Sequence, residues 1–196
     1  MTYKYDRKQQ GISYAPDWQD RIWCKQYPDG TAVYYTYDSA GRLTTVDDPT
    51  GTYGFTYDNM NRLTQTSTNY KFDSAAAYIV NYTYDAASNR ASMTDPQGGT
   101  TQYTYDALNR LTNLQDAQSQ NYGFGYDVLN RRTSLTRPNA VNTPYSYDPQ
   151  SRLLSVAHQM GFTTIDGASY TYDNAGEFGD RRDVSPIFRL GNKDER

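Results

Sequence analysis

Tyr35-Thr36-Tyr37-Asp38-Ser39-Ala40-Gly41-Arg42-Leu43-Thr44 is the stretch whose reading decides the fold. It runs from an aromatic residue through a spacer to Tyr-Asp, then crosses three residues to Arg. A three-residue hairpin loop, a type I turn closed by a G1 bulge, needs a positive φ at its third residue, which Gly and Asn tolerate best. Asp38 and Arg42 then face each other across a hairpin tip, and Tyr37 pairs with Leu43, Thr36 with Thr44 and Tyr35 with Thr45. Side chains alternate along a strand, so Tyr35, Tyr37 and Leu43 share the face better suited to burial. Thr36, Asp38, Arg42, Thr44 and Val46 share the other.

The phrase occurs eight times. The other copies are Tyr3-Lys4-Tyr5-Asp6, Phe55-Thr56-Tyr57-Asp58, Tyr82-Thr83-Tyr84-Asp85, Tyr103-Thr104-Tyr105-Asp106, Phe124-Gly125-Tyr126-Asp127, Tyr145-Ser146-Tyr147-Asp148 and Tyr170-Thr171-Tyr172-Asp173. From Asp85 to Asp148 the step is 21 residues each time; elsewhere it is 32, 20, 27 and 25. Such self-similarity marks a repeat array. The tip recurs as Asn61-Arg62, Asn109-Arg110 and Asn130-Arg131, and as Ser151-Arg152 with a poorer residue for positive φ. After Asp85 the basic residue, Arg90, comes one place late, which predicts a longer or bulged tip. Pro28-Asp29-Gly30, Asp48-Pro49-Thr50-Gly51, Asp95-Pro96-Gln97-Gly98-Gly99 and Arg137-Pro138-Asn139 signal turns at the opposite strand ends.

Each unit is therefore two strands of roughly 6 to 8 residues joined by alternating turn types. The expected fold is all-β, an antiparallel hairpin array in one open sheet that curls into a spiral because strand twist accumulates. Pairs of units would also suit the four-stranded blades of a propeller, at about 40 residues each. The array spans 1–176. Residues 177–196 form a divergent charged tail, read as frayed or truncated, in which Glu177 stands where Arg is expected.

Composition narrows the function. Of 196 residues 36% are hydrophobic, but 15% are aromatic, with 21 Tyr. So aromatic a chain is not disordered, and Tyr buries its ring while keeping its hydroxyl wet, which predicts a thin aromatic core. A net charge of −3 with interspersed signs leaves no basic stripe for nucleic acid. Cys24 has no partner for an internal disulfide, which leaves the redox compartment open. No run of about 18 apolar residues predicts a membrane span. The first residues lack a signal peptide's apolar run and begin inside a copy of the phrase, which suggests an internal piece of a longer protein.

No catalytic constellation emerges. General acid–base chemistry wants two carboxylates in one cleft with pKa values driven apart; here each repeat has one, matched by its own Arg. An exposed pair of this kind contributes about 0–1 kcal/mol, and a ladder of them chiefly fixes register. The one histidine, His158, has no nucleophile pattern around it. No Cys/His cluster suggests a metal, Asp47-Asp48 lacks the spacing of a calcium loop, and Gly98-Gly99 belongs to a β-turn rather than a phosphate loop. No enzyme activity and no cofactor are expected. Two non-catalytic classes stand: a structural wall, and a binding module whose Trp18, Trp23, Tyr34 and Tyr35 rings stack on sugars.

The full phrase, Tyr-Thr-Tyr-Asp followed by Gly or Asn, Arg, Leu, Thr and an Asp-Pro turn, resembles the RHS or YD repeat. That repeat occurs in bacterial polymorphic toxins, in the shell-forming component of insecticidal toxin complexes and in teneurin-like adhesion proteins. Residues 35–46, 55–64, 82–93, 103–114, 124–135, 145–156 and 170–176 carry the resemblance, with a worn copy at 3–6. It implies a long β-strand spiral that closes into a shell around a toxin or builds an extracellular scaffold. The implied partners are further YD repeats, a toxin or cargo domain of a longer parent, and cell-surface glycans; the implied location is secreted or cell-surface. No core rich in Asp-Pro-x-Gly-Arg follows the repeats, only about 20 residues remain after Gly176, and eight phrases are too few to close a shell. The expectation is a partial shell.

Overall fold

The computed structural model describes residues 11–73 and 77–184, and residues 2–5 by backbone alone. Asp6 of the worn copy and the tail beyond 184 lie outside the described residues. The chain divides into two compact units, Met1–Thr100 and Thr101–Arg196. The first holds β1 (Thr2–Tyr5), β2 (Gly11–Pro16), β3 (Ile22–Gln26), β4 (Ala32–Tyr37), β5 (Leu43–Asp47), β6 (Gly51–Tyr57), β7 (Leu63–Tyr70), β8 (Tyr78–Tyr84) and β9 (Arg90–Thr94). The second holds β10 (Thr100–Tyr105), β11 (Leu111–Gln115), β12 (Asn121–Tyr126), β13 (Arg132–Thr136), β14 (Val141–Tyr147), β15 (Leu153–Met160), β16 (Thr163–Tyr172) and β17 (Phe178–Asp183). Within each unit every strand pairs antiparallel with its predecessor, and no described pairing closes the row. These are open hairpin meanders; a propeller would break the row into blades of four strands.

The predicted tip is present. Asp38 N–H donates to the Arg42 carbonyl at 2.9 Å and Gly41 N–H to the Asp38 carbonyl at 3.0 Å, with Gly41 at φ 81. Asn61, Asn109, Asn130 and Ser151 take the same left-handed place at φ 61, 59, 63 and 66. The register below the tip differs from the expectation. Tyr37 does pair with Leu43, but Thr36 pairs with Thr45 and Tyr35 with Val46, because Thr44 is an extra residue bulged out of β5. Val46 is thereby moved from the threonine face to the Tyr35 face. The same shift recurs in β7, β9, β11, β13, β15 and β17.

Three further expectations are corrected. The Asp85 tip is not longer: Asp85 N–H bonds the Asn89 carbonyl and Ser88 adopts φ 68, so Asn89 occupies the Arg place and Arg90 the place of Leu43. The turns at the opposite end are mostly not a second type. Tyr27–Thr31, Asp95–Gly99, Asp116–Gln120 and Arg137–Val141 close the same three-residue loop, with Gly30, Gly98, Ser119 and Ala140 at positive φ. Asp48–Gly51 and Gly161-Phe162 are the shorter exceptions. Lastly, pairing runs past Gly176, for β17 docks on β16 with its charges in two ion pairs, Arg181–Asp183 and Arg182–Asp180.

Among the described residues, no strand within either unit packs on any but its sequence neighbours. Among described residues only Ala168, Thr143, Asp148 and two glycines, Gly51 and Gly167, are buried. The accessible surface is 13878 Å², against about 9,400 Å² for a compact monomer of this mass. Along β4, β8 and β10 the phrase tyrosines are half-covered and the Thr between them exposed, so each face is covered mainly by its own cross-strand neighbours.

Candidate functional site

The densest chemistry lies along the row of Asp tips. In each regular tip the carboxylate accepts twice from its own loop. Asp38 Oδ1 takes the N–H groups of Ala40 and Arg42 at 2.9 Å, and Oδ2 takes Arg42 Nε at 2.6 Å. Asp58–Arg62, Asp106–Arg110, Asp127–Arg131 and Asp148–Arg152 repeat the ion pair at 2.7, 2.7, 2.6 and 2.5 Å. Arg42's backbone N–H, followed by its guanidinium, holds the Asp38 carboxyl below its ordinary range; at Asp106 the Arg110 side chain leads, and at Asp85 the Asn89 amide does.

The same Arg also reaches forward to the next tip. Arg42 Nη1 donates to the Asp58 carbonyl and to Asn61 Oδ1, both at 2.9 Å, while its guanidinium lies 4.9 Å over the Tyr57 ring. Tyr57 returns a bond from its hydroxyl to the Leu43 carbonyl at 2.9 Å. Arg62 grips the Asp85 carbonyl, Ser88 Oγ and the Tyr84 ring; Arg110 grips the Asp127 carbonyl, Asn130 and the Tyr126 ring. Arg131 does the same at the Asp148 carbonyl, Ser151 and Tyr147. Arg in this position has the planar fork that lets one side chain serve two tips and stack on a ring. The second Tyr of the phrase is thus the landing face for the preceding tip's Arg.

The third loop residue has a second use that its backbone conformation hides. Where it is Asn or Ser, the incoming Nη1 bonds the Asp carbonyl at 2.9–3.1 Å. Where it is Gly, no side-chain acceptor exists and the bond stretches: Arg21 to Asp38 is 3.5 Å beside Gly41, and Arg152 to Asp173 is 3.4 Å beside Gly176. One complete tip escaped the sequence reading altogether. Asp17-Trp18-Gln19-Asp20-Arg21 has the bonds, the ion pair and the positive φ at Asp20, but Pro16 replaces the phrase tyrosine. Its Asp-to-Arg spacing was the available signal.

The remaining candidates scatter. Arg90 lies 4.9 Å over Tyr82 and does not pair with Asp85. Trp23 stacks on Tyr34 at 6.1 Å, and both are a little under half exposed, as Trp18 is almost wholly. His158 Nδ1 lies 2.8 Å from the buried Thr143 hydroxyl, which also accepts from Arg137 at 2.7 Å. Among the described residues no His/Cys/Asp/Glu group could hold a metal, and no helix is long and apolar enough to cross a membrane.

Residues 37–70, 84–120 and 105–141 match the RHS Repeat family, and the chain belongs to the RHS-repeat proteins. No curated protein matches the sequence. Among solved structures, the fold is similar to a chain in the crystal structure of TcdB2-TccC3-Cdc42, at TM-score 0.66 and 14% identity over 93% of this chain and 12% of that one. It is similar to a chain of the Photorhabdus luminescens Tc holotoxin pore, at TM-score 0.64 and 15% identity over 93% and 12%. A chain of TcdB2-TccC3-TEV gives TM-score 0.61 and 16% identity over 89% and 11%. The chain spans little more than a tenth of the length of these neighbours.

Proposed function

We propose that the chain is a non-catalytic wall segment of a larger secreted or cell-surface RHS-repeat protein, whose shell encloses or presents a toxin or adhesion domain. The observation that carries this reading is the tip row itself. Its Asp–Arg carboxylates are occupied by the hydrogen bonds that shape the loops, and all the described shifts at these acids lower the pKa, which suits permanent acceptors rather than proton donors. Partners would be further repeats and a cargo domain of the parent. The test is limited proteolysis of the full-length parent. The cargo domain survives protease that digests it when expressed alone, and this protection falls when Arg42 and Arg62 are both changed to Ala. Equal digestion in both contexts would contradict the enclosure.

The exposure of Trp18, Trp23 and Tyr34 supports a second reading, carbohydrate binding through ring stacking. A glycan array separates the two: selective binding that disappears in Trp23→Ala favours it, and no selective binding removes it.

A further inference from the structure

We propose that the outer edge of β17 is a docking edge for an extended strand bearing Lys or Arg beside the Asp173–Glu177 tip, and that it discriminates against another regular repeat. Among the described residues β17 pairs with β16 and with nothing on its other side. A strand with one unpaired backbone row is a template for an added strand. The preceding hairpins show what such an edge normally offers. Each of six tips ends on an Arg directly before the outgoing strand, and the next tip receives it with electron-rich groups, namely an Asp carbonyl, an Asn or Ser oxygen where present, and a Tyr ring face.

At the β16–β17 tip this charge is reversed. The loop closes normally, Asp173 N–H to the Glu177 carbonyl at 3.0 Å and Glu177 N–H to Asp173 Oδ1 at 2.8 Å. Glu177 replaces the Arg, and among the described residues no guanidinium pairs with the second Asp173 oxygen. Arg152 reaches the Asp173 carbonyl at 3.4 Å and spends its Nε on Asp148. The charges along β17 are already satisfied within the strand, Arg181 with Asp183 at 2.9 Å and Arg182 with Asp180 at 3.3 Å. Among the described residues, what remains for a partner is an open backbone edge with two carboxylates at its tip end, Asp173 and Glu177, that have no ion pair. A regular tip would set its own carbonyl, amide oxygen and ring face against Glu177, like against like; a basic side chain there would complete the ion pair. The proposal rests on this edge and is independent of the enclosure reading.

Two labelled peptides test it with the full chain. One copies residues 51–62, a regular strand and tip; the other is the same peptide with Tyr57→Lys and Asn61→Lys. Binding is followed by fluorescence anisotropy and by the amide NMR signals of residues 177–183. The lysine peptide is expected to bind about tenfold more tightly, to shift the β17 amides, and to weaken as salt is raised. In Glu177→Arg, an exposed change that leaves the tip bonds intact, the preference is expected to reverse. Equal or better binding of the unmodified peptide, an unchanged ratio in Glu177→Arg, or no response of the β17 amides to either peptide would overturn it.

Discussion

Asn61 has two duties that a pair of substitutions separates. Its φ of 61° is left-handed, and its Oδ1 accepts Arg42 Nη1 at 2.9 Å. Asn61→Gly keeps the backbone and loses the acceptor, costing up to about 1 kcal/mol in urea unfolding. Asn61→Ala loses the acceptor and adds the left-handed penalty, for about 2 kcal/mol in total. Equal costs would mean that only one duty matters. The converse change, Gly41→Asn, supplies Arg21 with the acceptor it lacks; a Cβ there would lie 3.7 Å from Arg21 Nη1, an ordinary contact. At φ 81 any side chain also meets left-handed strain, least for Asn, so the net gain should be at most about 0.5 kcal/mol. The tip aspartates set the acid response. Their folded pKa values lie below the unfolded value of 3.8, so their contribution is complete above that value and is lost as pH falls through the folded one. Thermal melts in buffers below about pH 4 should drop, and Asp58→Asn should make part of that drop disappear.

At the scale of strands and hairpins, glycines mark where neighbours approach too closely for a Cβ. A Cβ on Gly54 would collide with Ser67 Oγ, a hydroxyl that can turn away, whereas one on Gly167 would meet the Val156 carbonyl oxygen at 2.6 Å and Ala157 Cα at 2.9 Å. Gly54→Ala is therefore expected to be mild and restored by Ser67→Ala, while Gly167→Ala costs about 1–3 kcal/mol and loosens hydrogen-exchange protection across β15 and β16. Rescue of Gly167→Ala by trimming side chains would contradict the backbone clash. This scale also shows what could be read in advance. The hairpin tip, the Asp38–Arg42 facing and the Tyr37–Leu43 pair follow from loop chemistry local to ten residues. The bulge at Thr44 does not, because shifting a pairing by one residue leaves no mark in composition. The Asp17 tip was hidden because Pro16 breaks the aromatic phrase while the bonds that make the tip need only Asp, three residues and Arg. Arg90 was misassigned because Asn89 takes the Arg place, its backbone N–H and side-chain amide both donating to Asp85. Ser and Asn at the third position were legible as turn formers, but their bond to the previous Arg connects residues about 20 apart and becomes visible only in three dimensions.

For the whole molecule, stability must come from neighbour-to-neighbour contacts, since described side chains are almost never buried. Taking the accessible surface of 13878 Å², unfolding exposes about four-fifths of the area that a compact chain of equal mass would expose, so the urea m-value should fall below that of a globular domain of this length by about a fifth. An m-value at the compact figure would argue for a second layer that the fold does not show. The central claim is that each tip Arg fastens its own hairpin to the next. Native-state hydrogen exchange on Arg131→Met, which keeps the aliphatic stem but removes the bonds to Asp127, Asp148 and Ser151, tests it most directly. Faster exchange is predicted both in the β12–β13 hairpin and at the Ser151 and Arg152 amides of the following tip; loss confined to the β12–β13 hairpin would contradict the relay.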